Sequence, residues 1–406
     1  MNPRVPTTSL AASAAVLLSL GLVGCGSGDS GDSSSASTSA SATSSPATSG
    51  SGDVVALAEA FAATLDEEQA AALQQDYTFA NASNWSNLPD ALLTGGGGAA
   101  PGGGTPPSGA APSGGAPSGG APSGGAPSGG AGSASSTGRV GLQTDSLTDE
   151  QWSALEDLLA GVTGSAADEG FDEILQHLAA DDYLADNGGG DDYGRGDYFI
   201  AFLGEPSDSG TWELQFGGHH LAVANTYVDG ALAGATPSFR GIEPLGTVEQ
   251  DGETVQPEQQ EQAAFAALLG SLDDDQLAAA QLSQSYGDIL LGPGNDWAFP
   301  ETSEGLVGSE LDDEQKALLL AAIATYVGDV DDADAETILA GYEGELDDTH
   351  VAFSGTSSVS EVGDYVRIDG PSVWIEFSLQ NGIVLDGAHL HAVWRDKQSD
   401  YAGLTS

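Results

Sequence analysis

Leu147-Thr-Asp-Glu-Gln151 and Leu311-Asp-Asp-Glu-Gln315 are two of four copies of one short pattern, beside Leu65-Asp-Glu-Glu-Gln69 and Leu272-Asp-Asp-Asp-Gln276. In each, an Asp or Thr stands where a helix N-cap accepts a backbone N–H, and a Gln three residues on closes a capping box. The acidic residues between them complement the helix dipole, and the leucine ahead of the cap acts as a hydrophobic staple. Ala/Leu-rich runs follow, as at 317–326, so four helices are predicted to start here.

The surroundings of these caps repeat as well. Gly141-Leu142 precedes Leu147 at the offset with which Gly305-Leu306 precedes Leu311, and Ile174-Leu175 and Ile338-Leu339 each begin 27 residues beyond those leucines. Asp197-Tyr198 and Asp364-Tyr365 open two strand-like runs, Tyr198–Leu203 and Tyr365–Ile368. Trp212-Glu-Leu214 answers Trp374-Ile-Glu376, and His219-His-Leu-Ala-Val223 answers His389-Leu-His-Ala-Val393. This order predicts two copies of one α-then-β unit, 53–230 and 260–406, joined by a connector at 231–259. The expected fold class is α+β: two fused copies of a helical hairpin plus antiparallel strands, packed as one pseudo-symmetric body. The Gly/Pro/Ser/Ala run 95–136 holds four tandem Ala-Pro-Ser-Gly-Gly copies at 111–130 and would ordinarily read as a domain linker. The repeat makes it an insertion between two helices of the first unit, where Pro300–Gly305 turns in the second. Closure entropy grows only logarithmically with loop length, so folding tolerates it.

The 406 residues carry 61 acidic and 8 basic side chains, a formal charge of −53, which excludes nucleic acid and anionic membrane surfaces as partners. Such a surface suits a protein soluble in high salt. A hydrophobic content of 40% still allows a core. The single cysteine, Cys25, excludes a disulfide framework and Cys-ligated zinc or iron–sulfur sites.

Cys25 also has a place. Arg4 supplies a positive n-region, Leu10 to Leu22 is apolar but too short to span a bilayer, and Leu22-Val-Gly-Cys25 resembles a bacterial lipobox. Residues 1–24 are therefore expected to be a lipoprotein signal peptide, Cys25 the lipidated N-terminus, and 25–52 a Ser/Thr/Gly-rich tether. The expected location is extracytoplasmic, anchored to a bacterial membrane through that lipid.

The second part of each unit carries the chemistry. Tyr198–Leu203, Thr211–Phe216 and Val373–Phe377 are rich in aromatic and β-branched residues and read as strands, as do 219–223 and 389–394. On a strand, His389 and His391 share one face while His219 and His220 point to opposite faces. A His-x-His pair presents two imidazoles to Cu or Zn, so His219, His220, His389 and His391 are candidate metal ligands, with His219 expected to reach the pair. The competing reading makes these histidines buried and hydrogen-bonded. Glu213 and Glu376, on the preceding strands, are candidate acidic ligands or general bases. Arg395-Asp396 reads as a structural ion pair, Asp329-x-Asp-Asp-x-Asp334 as a solvated acidic run, and Asp181-Asp182 to Asp191-Asp192 as a loop. There is no Gly-x-Ser-x-Gly elbow, no phosphate-binding Gly-Lys-Ser/Thr loop and no His-Glu-x-x-His helix.

Tyr198-Phe-Ile-Ala-Phe-Leu-Gly-Glu-Pro-Ser207, Gly218-His-His-Leu221, Thr236-Pro-Ser-Phe239 and His389-Leu-His-Ala-Val-Trp-Arg-Asp396 resemble the bacterial domain-of-unknown-function family 3500 over most of 55–401. Members tend to read Asn-His-Ile-His before Val-Trp-Arg-Asp; here Ala388 and Leu390 depart from that while both imidazoles remain. The resemblance implies the four histidines as the site and brings no established activity. The expectation is a membrane-anchored lipoprotein with a histidine-rich Cu or Zn site, or a metal-dependent enzyme whose ion activates water or dioxygen. The alternative is a non-catalytic surface binding module with structural histidines.

Overall fold

All four Leu-(Asp/Thr) segments start helices. The computed structural model of the chain describes residues 52–94 and 138–405; the expected signal peptide 1–24, Cys25, nearly all of the tether and the insertion 95–136 lie outside them. Among the described residues the main helices are α1 (Gly52–Ala62), α2 (Glu67–Leu73), α3 (Asp149–Ala160), α4 (Gly170–Leu184), α5 (Gln259–Gly270), α6 (Asp274–Ala280), α7 (Asp313–Val327) and α8 (Asp332–Glu343). Capping boxes close on α2, α3, α6 and α7, from Asp66, Thr148, Asp273 and Asp312. The cap glutamines also do long-range work. Gln151 Nε2 donates to Gln69 Oε1 and Gln315 Nε2 to Gln276 Oε1, both at 2.8 Å. The same two amides reach the carbonyls of Thr64 and Ser271 at 2.9 Å, tying α2 to α3 and α6 to α7 by one device used twice.

Eight longer strands build the sheet: β1 (Phe199–Leu203), β2 (Thr211–Gly218), β3 (Leu221–Val228), β4 (Ser238–Ile242), β5 (His350–Ser354), β6 (Tyr365–Asp369), β7 (Val373–Asn381) and β8 (Ala388–Asp396). They lie in the order β1-β2-β3-β4-β8-β7-β6-β5, every neighbour antiparallel. Short strands Leu142–Gln143 and Leu306–Val307 pair with the outer strands β1 and β5. Both are entered through a glycine with positive φ, Gly141 and Gly305, whose added Cβ would lie 2.5 Å from the Ile200 carbonyl oxygen and 2.3 Å from that of Val351.

Two expectations need correction. By position in the sheet, β1 answers β5 rather than the run at Tyr365, because every strand here shares the same aromatic and β-branched composition and nothing in the sequence singles out His350–Ser354. The stretch 231–259, read as a connector, contains β4, which pairs with β8 and joins the two halves through His391↔Gly241 and Val393↔Phe239.

Strand alternation sorts the residues. Leu390, Ala392 and Trp394 face the helices, packing with Phe265, Leu319 and Ile323, while Ile200, Leu214 and Phe216 pack with Phe61, Leu155 and Leu158. The opposite face carries His389, His391, Val393 and Arg395. It is covered by irregular chain, with Val393, Phe239 and Ala222 packed against Trp85 and Tyr401. A non-covalent junction closes that layer: Thr94 and Gly138 adjoin, Arg139 N donating to Asp90 Oδ1 at 3.3 Å and Asn84 Nδ2 to the Gly138 carbonyl at 3.3 Å. The described residues on either side of 95–137 therefore lie together.

Candidate metal centre

The seam between β4 and β8 collects the histidines. On β8, His389 and His391 are two residues apart and project from the loop-covered face, as the strand period requires. Opposite them, β2 and β3 form a hairpin whose last pair is Gly218↔Leu221, leaving His219 and His220 as its two-residue turn. This corrects the reading of both as strand residues. Gly217-Gly218 before them is the turn signal, and His220, the second turn residue, takes the left-handed conformation at φ 64° that a type II turn places there.

That turn decides which imidazole reaches β8. It is His220, not His219: His220 Nε2 lies 2.8 Å from His389 Nε2. Nitrogens of His220, His389 and His391 all fall within 4.8 Å of one another. His219 stacks on His220 with ring centroids 3.6 Å apart and turns its Nδ1 to Asp181 Oδ1 at 2.6 Å. Asp181, His219 and His220 form a second group of the same compactness. All four histidines are 2–6% exposed.

Burial first, and then the neighbouring imidazoles, hold His220 well below the ordinary histidine range and push His389 down to about 2. These rings are therefore neutral, with a nitrogen lone pair each. His389 Nδ1 is buried without a hydrogen-bond partner, 3.8 Å from Glu243 Oε2. Glu243 is occupied elsewhere: its Oε1 accepts the backbone N–H groups of Ile383, Val384 and Leu385 at 2.5–2.7 Å. His391 Nδ1 meets Asp288 Oδ1 at 2.9 Å. Carboxylates behind His219 and His391 are the arrangement that fixes an imidazole's orientation for a metal.

Glu213 and Glu376 do not join the cluster. Both are fully buried on the same sheet face, but their partners are local. Glu213 accepts from Thr226 Oγ1 at 2.9 Å and Gln215 Nε2 at 3.2 Å, and burial raises it to about 7. Glu376 accepts from Tyr365 Oη, Trp374 Nε1 and the backbone N–H groups of Leu290 and Leu291 at 2.6–2.9 Å. It anchors the covering loop to the sheet. Arg395 does not pair with Asp396 as the sequence suggested; it binds Asp400 and Asp296, while Asp396 takes the Tyr342 hydroxyl.

Residues missed by sequence reasoning lie on the helix side. Asp181 belongs to α4, not to a loop, and Glu173 and His177 precede it at helical spacing on the same face. Glu173, His177 and Glu258 form a third compact group. Asp329, expected in solvent, is 5% exposed and accepts from Arg240 Nη2 at 2.7 Å, because the chain after α7 turns back under α4.

An α+β protein with one large sheet, helices on one of its faces and a buried histidine cluster at its central seam is the class these observations define. The chain belongs to the family described as "Protein of unknown function (DUF3500)", which matches residues 133–403. No curated protein and no solved structure matches it significantly.

Proposed function

We propose that this protein is a lipid-anchored extracytoplasmic metal-binding protein that holds Cu or Zn on His220, His389 and His391. The observation that carries the reading is the convergence of three buried imidazoles from two distant segments, with nitrogens within 4.8 Å of one another. Ligands at about 2.0 Å from an ion are about 2.8 Å apart at right angles and about 3.3 Å apart at the tetrahedral angle. The 2.8 Å between His220 and His389 fits the first, so Cu(II) seats with little movement while Zn asks the rings to part by about 0.5 Å. The Irving–Williams order points the same way.

Tag-free protein titrated with Cu²⁺ and Zn²⁺, beside His389→Ala/His391→Ala, is the test. Losing only a residue that orients a ligand weakens metal sites by about 10–100-fold, so removing two ligands is expected to raise Kd at least about 100-fold. Stabilisation of about 2.7 kcal/mol at a hundredfold excess over Kd should be seen in the parent and absent in the variant. Equal binding in both proteins favours the second reading, a non-catalytic binding module in which the His220–His389 contact is an ordinary hydrogen bond.

The anchor rests on Cys25 at the lipobox, and mass spectrometry of the mature N-terminus is expected to show a diacylated cysteine there. An unmodified N-terminus at another residue removes that part of the proposal. The two halves are read as descendants of one duplicated unit, supported by the paired cap glutamines and by Gly141 and Gly305. On that reading a complete metal site needs ligands from both copies.

A further inference from the structure

Behind the sheet, where α4 and α5 meet, five carboxylates surround one guanidinium. Glu169 and Glu173 come from the start of α4, Glu258 and Glu261 from the start of α5, and Asp329 from the turn after α7. Arg240 on β4 reaches in from the sheet, with Nη2 2.7 Å from Asp329 Oδ2 and Nε 3.8 Å from Glu173 Oε2. His177 completes the group: its Nε2 is 3.3 Å from Glu258 Oε1 and 3.9 Å from Glu173 Oε1.

Charge and hydrogen bonding are both incomplete here. Glu173, Glu258 and Glu261 are 0–2% exposed, yet one oxygen of each has no hydrogen-bond partner, and neither has Glu169 Oε2 or Arg240 Nε. An independent group points inward as well. The Tyr326 hydroxyl, on a side chain 2% exposed, has no partner, and its ionisation is opposed by burial and by Glu258, Glu261, Glu173 and Asp329. Burial, and then Asp329 and Glu258, also push Glu169 up to about 9. Uncompensated buried charge is among the largest penalties a fold can carry, so a concentration of orphaned oxygens calls for a cation. Glu258 is moreover held at φ 62°, a conformation that non-glycine residues adopt at a penalty and that recurs at ligand sites; His220 shares it.

We propose that Glu173, His177 and Glu258 bind a divalent first-row cation of the Mn²⁺ or Fe²⁺ type, with Glu261 and the Tyr326 hydroxyl as further oxygen donors. The donor set selects that class. Carboxylates and a phenol are hard ligands, one imidazole favours a transition ion over Mg²⁺ or Ca²⁺, and thiolates are absent. The site differs from the histidine cluster in donors and in the face of the sheet it occupies, and it does not depend on that cluster being metallated. The two nonetheless share α4, on which Glu173, His177 and Asp181 follow one another at intervals of four residues.

The experiment is a Mn²⁺ titration followed by electron paramagnetic resonance, on full-length protein both as purified and after refolding with Mn²⁺. Three chains are compared: the parent, His389→Ala/His391→Ala, and Glu173→Gln/Glu258→Gln. Parent and histidine variant are expected to bind equally. The glutamine variant should bind at least about 100-fold more weakly, since even indirect supports of a metal cost 10–100-fold. Its metal-free melting temperature is expected at or above the parent's, because two buried like charges are gone. Should it fail to fold, the bound-Mn²⁺ spectrum of the histidine variant still decides, since nitrogen modulation from one imidazole must appear and vanish with His177→Gln. No Mn²⁺ retained by the parent under either condition, or equal affinity in the glutamine variant, overturns the proposal and leaves the carboxylates sharing protons. Loss of Cu²⁺ binding in the histidine variant bears only on the other site.

Discussion

Arg395→Leu is expected to lower stability by on the order of 3–5 kcal/mol at pH 7, the range for breaking a buried ion pair by removing one partner. Arg395 is fully buried on β8 and spends three donors on two separate pieces of the covering layer, the loop holding Leu291 and Asp296 and the turn at Asp400. Nε donates to Asp400 at 2.7 Å, Nη2 to Asp296 at 3.0 Å and Nη1 to the Leu291 carbonyl at 3.0 Å. Leucine fills part of the volume but leaves Asp400, itself fully buried, and Asp296 without their cation. Burial already raises Asp400 in spite of the arginine, so its carboxyl should take up a proton in the variant and the defect should shrink at low pH. Denaturant unfolding of Arg395→Leu, alone and with Asp400→Asn, measures both parts. A loss below about 1 kcal/mol, or no recovery in the double variant, contradicts this account of how the loops are held.

Glu213→Gln is expected to act in the opposite direction. An unfolded glutamate ionises near 4.3, whereas Glu213 does so at about 7 in the fold, chiefly because it is desolvated. The stability its protonated form contributes is complete below the unfolded value and is lost as pH rises through the folded one. Between about pH 4.3 and 7 the unfolded chain releases a proton that the native protein keeps, so the loss amounts to about 3–4 kcal/mol above pH 7. The amide is neutral throughout: its oxygen accepts from Gln215 Nε2, and its nitrogen donates to the Thr226 hydroxyl, which can reverse its role. The variant should match the parent near pH 4 and exceed it by 1 kcal/mol or more at pH 8. Parallel stability–pH curves for the two proteins would show that Glu213 is solvated or paired in the native state.

What the sequence reveals divides by range. Capping boxes are local, three residues wide, and Asp66, Thr148, Asp273 and Asp312 are all legible. Strands rich in Trp, Phe, Ile and Val are legible too. Their mutual placement is not, because every strand of a sheet buried on both faces has the same composition; hence β1 was matched to β6 instead of β5. Of the four histidines, the β8 pair follows from period-two alternation alone. Which of His219 and His220 meets it depends on whether Gly217-Gly218-His219-His220 continues a strand or turns, and the turn exchanges their roles. The carboxylate group behind the sheet is the least legible. Glu173, Glu258 and Asp329 sit in stretches as acidic as the solvated surface, and only the packing of α4 on α5 and β4 separates them from it.

The strand at the centre of the sheet, β8, comes later in the chain than every described strand it pairs with. β4 emerges early, yet its partner on β8 lies 150 residues further on, at His391↔Gly241. Until residue 396 is available, β4 is an unsatisfied sheet edge, and edges of this kind recruit other chains. β7, the other neighbour of β8, is equally open on that side. A nonsense or frameshift product ending before residue 388 thus exposes two adhesive edges and lacks half of the imidazole set. Loss of residues 388–406 removes far more than a tail. It takes out the keystone, and the two halves of the sheet cannot close until β8 has been made.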